Sequence, residues 1–140
     1  MKTRIVKQFI CDFCGKKKYS ISAMNKHEKH CTMNPNRECR MCILNTGAPQ
    51  NLEELKKILP DPIKIDSDGD GIKITNRKEI LEAMPKLIEA AEKCPACILS
   101  TIRQKGIFLN LTGYNYTEEM KKFWIDYNEE HSKGDYTIYD

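Results

Sequence analysis

The stretch CDFCGKKKYSISAMNKHEKHC, Cys11 to Cys31, governs the reading of the whole chain. Cys11 and Cys14 are separated by two residues, twelve more lead to His27, and three more to Cys31. Cysteines so spaced can turn through a tight knuckle and aim both sulfurs at one ion. His27 and Cys31, four positions apart, share one face of a helix. Thiolate and imidazole suit zinc, which takes four such donors in a tetrahedron. The spacing predicts a zinc site at Cys11, Cys14, His27 and Cys31. His30 competes for the fourth place. Cys31 is preferred because the three-residue gap fits a helical turn and a thiolate binds zinc tightly.

Of seven cysteines this site takes three. The other four form two further pairs, CRMC (Cys39, Cys42) and CPAC (Cys94, Cys97), with 51 residues between them. If the two knuckles meet in space, four thiolates make a second zinc site, with a helix and a hairpin inserted between its halves. The rival reading of CPAC is redox, since it looks like the CxxC of thioredoxin-type oxidoreductases. Those motifs follow a buried strand, whereas LIEAAEK precedes this one and reads as a charged helix.

Residues 9–31 resemble the ββα zinc-finger family in its Cys-Cys-His-Cys variant. Phe9, two residues before Cys11, matches the family's aromatic, and Met24, three before His27, its apolar core position. Tyr19 falls one residue later than the family's second aromatic. The base-reading positions that the resemblance implies are Ser20, Ala23 and Lys26. Ser20 and Ala23 are too short for the bidentate contacts that discriminate bases, which leaves Lys26 alone. Lys16, Lys17, Lys18, Lys26 and Lys29 can hold phosphates without reading sequence. The whole chain is similar to small zinc-finger proteins of bacteriophages and prophages of low-GC bacteria, which implies binding without catalysis.

The charge distribution places any polyanion at the front. Residues 1–50 carry ten Lys or Arg against three Asp or Glu, and residues 51–140 thirteen against seventeen, so a front of +7 faces a remainder of −4. On charge alone, a merely solubilising lysine-rich surface is the preferred reading. Met1 to Ile10 lacks an apolar core and a small-residue cleavage site, so no secretory signal is read there. No apolar run approaches the ~20 residues that span a bilayer. The chain is read as cytoplasmic, where cysteines serve metals before disulfides.

TMNPNRE (Thr32–Glu38) is a turn-rich connector, and the expected domains are 1–34 and 35–140. The second is read as mainly helical. Asn51 and Glu54 form a capping-box pattern ahead of Leu52, Leu55, Ile58 and Leu59, with Pro60 as the stop. Asn76 and Glu79 repeat it ahead of Ile80, Leu81, Met84, Leu87, Ile88 and Ala91, one helix kinked at Pro85. Ile98, Leu99 and Ile102 suggest another helix. IKIDSDGDGIKIT (Ile63–Thr75) alternates about an Asp/Gly turn and predicts a β-hairpin. Its DSDGDG resembles the opening of a calcium-binding EF-hand loop, but Lys73 and Arg77 occupy the eighth and twelfth positions, so a solvated turn is preferred. Ile107–Leu111 is read as a short strand. Thr117 is read as the cap of a last helix whose Met120, Phe123, Trp124 and Tyr127 close the core, and Gly134–Asp140 as a loose tail.

The fold class expected is α+β: a small finger, then a helical domain with a hairpin and a four-cysteine zinc site. There is no serine–histidine set, phosphate-cradling glycine loop or HExxH, and four protein ligands at each zinc leave none of the open position that catalysis needs. His131 is read as a surface residue. The chain is therefore expected to be a non-enzymatic, zinc-binding accessory protein that contacts nucleic acid with little sequence specificity. A zinc-stabilised protein-interaction adaptor is the alternative, and a thiol-disulfide oxidoreductase the third. No membrane and no small-molecule substrate are expected.

Overall fold

The structure, a computed structural model, describes residues 1–48 and 50–132, the last two of these by backbone alone. The described residues form seven helices and two antiparallel hairpins, an α+β arrangement. Residues 1–8 have no regular structure and are exposed. Strands β1 (Phe9–Ile10) and β2 (Lys17–Lys18) pair with Phe9 opposite Lys18, and helix α1 (Ile21–His30) follows. Ser20 caps α1 by accepting from the Ala23 amide. Met24, Cys11 and Cys31 are buried in a small cluster, with Phe9, Cys14 and Met33 packed against it. Tyr19 is 68% exposed. The late aromatic thus stays out of this core, and Met33, from beyond the helix, joins it.

Thr32–Glu38 is a bonded strap. Asn34 donates from its side chain to the Glu28 carbonyl at 2.8 Å, and the Glu38 amide donates to the Lys29 carbonyl at 2.9 Å. Helix α5 (Pro95–Gln104) reaches the same segment: Arg103 donates to Thr32 Oγ1 at 2.9 Å, and Gln104 to the Thr32 and Asn34 carbonyls at 2.8 and 3.0 Å.

The larger cluster is built around α5 (Pro95–Gln104), of which Pro95 to Ile102 are all buried. Against it pack α2 (Arg40–Thr46), α3 (Leu52–Ile58) and α4 (Arg77–Ala90), through Met41, Leu52, Leu55, Ile80, Met84 and Leu87. α4 runs through Pro85 as one helix, as the phase of its apolar stripe requires. Asn51 caps α3 by accepting from the Glu53 amide at 3.0 Å. Strands β3 (Lys64–Ser67) and β4 (Gly71–Ile74) pair about the Asp/Gly turn, with Ile65 opposite Lys73.

Four local expectations need correction. Asn76 does not cap α4 with its side chain. It is buried and faces the other way, accepting from the Ile63 amide and donating to the Asp61 carbonyl, both at 2.8 Å, and so fastens the hairpin to the helix. Ile107–Leu111 is not a strand: Leu109–Thr112 is a short helix, α6, closed by Gly113 at a φ of 68°. The last helix, α7 (Tyr116–Ser132), takes its cap from Asn115, whose side chain accepts from the Glu118 amide at 3.1 Å, and not from Thr117. Its aromatic face is only half sunk. Met120 and Phe123 pack on the core, but Trp124 is exposed and meets Phe123 and Tyr127 edge-on at 5.3 and 5.6 Å. Gly134–Asp140 and the His131 side chain lie outside the described residues.

Asn76→Ala strips two part-buried backbone groups of their partner, at about 1 kcal/mol or more each. A urea melt of the metal-loaded protein is expected to show a loss of about 2–3 kcal/mol with an unchanged m-value.

Candidate metal centres and the cleft beside them

The first centre joins the β1–β2 hairpin to α1. The hairpin turn presents Cys11 and Cys14, and α1 presents His27 in its last turn with Cys31 as its C-cap. The four donor atoms lie within 4.8 Å of one another, His27 Nε2 being 3.2 Å from Cys14 Sγ. The Phe13 amide donates to Cys11 Sγ at 3.4 Å, and the Asp12 amide to Glu28 at 2.9 Å, which ties the knuckle to the helix. His30 is not in this group. Its Nδ1 donates to the Glu38 carbonyl at 2.8 Å, so Cys31 is the fourth donor.

The second centre closes the 51-residue gap. Cys39 is the N-cap of α2 and Cys42 lies in its first turn. Cys94 is the N-cap of α5, with Pro95 opening the helix, and Cys97 lies in its first turn. Cys39 Sγ is 3.5 Å from Cys94 Sγ, and Cys42 Sγ is 3.3 Å from Cys97 Sγ. Zn–S bonds of about 2.3 Å in a tetrahedron put sulfurs about 3.8 Å apart. The observed spacing is near that and far beyond a disulfide's ~2.05 Å. All four sulfurs are buried. Four thiols buried together have a chemical reason to be so if a metal replaces their protons. The chain enters Cys94 through Glu92 and Lys93, at φ of 53° and 62°. Each left-handed non-glycine residue costs roughly 1–2 kcal/mol, so strain is concentrated where the knuckle must turn.

The thiols already share charge. Hydrogen bonds from Cys42, Cys94 and Cys97 hold Cys39 well below the usual thiol range, and the hydrogen bonds with Cys39 push Cys42 and Cys97 up, so protons are favoured on Cys42 and Cys97 over Cys39 and Cys94. Burial pushes Cys31 up to about 11. These protons leave when a metal enters. Burial, then the charges of Lys16 and Lys18, lower the His27 pKa, which keeps the imidazole neutral and able to ligate. The two groups are thus positioned to hold two metal ions, and their donors suit zinc. CPAC follows a helix and a left-handed turn, and both of its sulfurs face a second CxxC pair.

Three donors of the first centre, Cys14, His27 and Cys31, also border a cleft of about 720 Å³. Lys16, Lys18 and Lys26 line it from the hairpin and α1, and Arg40 and Arg103 from α2 and α5. None of its described lining residues is acidic. Of the expected phosphate contacts, Lys16, Lys18 and Lys26 are therefore together. Lys17 does not line the cleft, and Lys29 pairs with Glu38 at 3.3 Å. Arg40 and Arg103 were not foreseen. Arg40 sits inside CRMC, where only its cysteine neighbours draw notice, and Arg103 comes from 63 positions further on. No helix of the described residues is long and apolar enough to cross a membrane. Comparisons with protein families, with curated proteins and with solved structures find no match to the chain.

Elemental analysis of the purified protein is expected to give two zinc ions per chain. A chelator should release them in two phases, the half-open first centre before the buried second. Cys14→Ser should lose the first ion and keep most helical circular dichroism, while Cys97→Ser should lose the second and most of the helix signal. Acid protonates His27 as well as the thiolates of the first centre, whereas the second centre has no imidazole. A base whose folded pKa is lowered stabilises the fold above its ordinary value of about 6.5, and that stability is lost as pH falls below it. Zinc release monitored from pH 7.5 downward should therefore begin at the first centre, and Cys14→Ser should abolish that early phase.

Proposed function

We propose that this is a zinc-binding accessory protein, cytoplasmic and phage- or prophage-encoded, that holds nucleic acid by its phosphates with little sequence specificity. Residues 1–34 are a ββα finger of the Cys-Cys-His-Cys kind, and residues 35–140 a helical domain clasped by zinc. One observation carries this reading: five cations from four elements line one cleft without a described acid. Such a concentration of charge attracts a polyanion, and the released counterions supply the affinity. Ser20 and Ala23 offer no bidentate readout, so base discrimination is weak. The protein is not an enzyme, because four protein donors at each zinc leave no position for a substrate.

An adaptor reading draws on a different surface. A groove of about 760 Å³ runs along α7, lined by Met84, Ile88 and Phe123 and by more acids, Glu118, Asp126 and Glu130 among them, than bases, Lys93 and Lys122. Its polarity is opposite to that of the cleft, and it would suit a basic, partly apolar segment of a protein.

Filter binding over a salt series separates the two. Five phosphate contacts give a slope of log K against log salt of about −3.5 on single strands and about −4.5 on duplex. The double variant Lys26→Ala/Arg40→Ala should flatten the slope by about 1.4 to 1.8 while keeping both zinc ions. No binding even at low salt would remove the nucleic-acid reading and leave the adaptor.

A further inference from the structure

Tyr19 is free to do something other than fill a core. It stands one residue late for the family's second core aromatic, it is 68% exposed, and Met33 packs on the small cluster. It directly follows Lys18, which lines the basic cleft. A second aromatic, Phe13, is 41% exposed at the tip of the knuckle and directly precedes Cys14, which also borders the cleft. Cationic groove and exposed aromatic rings together are what proteins use to hold unpaired strands, with the backbone following the charge and the bases stacking on the rings. A duplex hides its base faces from such rings. The helix that would have to enter a major groove offers Ser20 and Ala23 where reading side chains belong, and its Lys26 lines a concavity walled by Arg40 and Arg103.

We infer that the ligand is an unpaired polynucleotide strand, its phosphates in the cleft and its bases stacked on Tyr19 and Phe13. This rests on the nucleic-acid reading above and narrows it. The test is fluorescence anisotropy of the zinc-loaded full chain with labelled 12-nucleotide DNA and RNA strands of mixed sequence, and with the corresponding duplexes, at one salt concentration. At least one type of single strand is expected to bind about tenfold or more tightly than its duplex. The DNA and RNA arms show whether the 2′-hydroxyl matters. Tyr19→Ala should weaken single-strand binding about tenfold and leave duplex binding and zinc content unchanged, and Tyr19→Phe should restore it. Tyr19 is on the surface, so this variant folds even if Phe13→Ala does not. Duplex binding equal to or tighter than single-strand binding, or single-strand binding indifferent to Tyr19→Ala, overturns the inference but spares the broader reading. Failure of every oligonucleotide to bind removes both.

Discussion

Four thiols from two knuckles 55 positions apart meet inside the main core, and most of the molecule's order depends on that meeting. Sulfurs so close repel one another once ionised and bury protons if they are not. Either state is costly in a low-dielectric interior without a cation. A divalent ion removes the difficulty and contributes binding free energy of order 10–16 kcal/mol, comparable with the net stability of a whole domain. The sulfurs also sit at helix starts. Cys39 and Cys94 are the N-caps of α2 and α5, and in α2 the Cys42 amide donates to Cys39 Sγ. A site of four thiolates around zinc carries two net negative charges, and a helix N-terminus is where such charge is tolerated. The first centre is arranged the other way round. It lies at the C-terminal end of α1, where the dipole disfavours negative charge, and there one thiolate is replaced by the neutral imidazole of His27.

The two centres are not independent, because the basic cleft is built from both. Lys16, Lys18 and Lys26 are held by the fold around the first centre. Arg40 follows Cys39 directly, and Arg103 lies two turns beyond Cys97 on the same helix. The strap Thr32–Glu38 joins the two sets, with Arg103 bonded to the Thr32 hydroxyl and Gln104 to the Thr32 and Asn34 carbonyls. A rotation of the small unit against α5 would break these bonds and spread the cations apart. The cleft is therefore a property of the assembled chain, not of the finger-like segment alone.

What the sequence disclosed, and what it hid, follows from the range of the forces involved. Each knuckle is local, since two sulfurs and a turn fit within four residues, and C-x2-C was legible at all three places. That the distant pairs share one site came from exhaustion of the cysteines, not from any visible pairing. Helix α2 was missed because its cap is Cys39, a residue with a prior claim as ligand, although Gly47 at a φ of 84° marks its end. Asn76 had the right spacing for a capping box, but a buried amide goes to whichever partners lack one, and these were the backbone groups of Asp61 and Ile63. Ile107–Leu111 is a short apolar run that reads as a strand, yet its last residues close a helical turn, α6, instead. The cleft could not be read because its five cations span residues 16 to 103 and converge only through tertiary contacts.

Where each part of the chain obtains its stability also explains how its surface is used. About thirty residues around the first centre bury only Cys11, Met24 and Cys31 fully, far too little apolar area to fold unaided. Zinc supplies what burial cannot, and most remaining side chains of this unit are released to the surface. There basic side chains outnumber acidic ones, and two others, Tyr19 and Phe13, are aromatic. The larger unit owns a core of sixteen buried residues and a groove lined by more acids than bases. Metal in place of packing thus makes room for a positively charged face on a small protein, in which the Glu28 carboxylate, accepting from the Asp12 amide, adds one tie between helix and hairpin. The charge asymmetry visible at the start, +7 before −4, is the surface consequence of two different ways of staying folded.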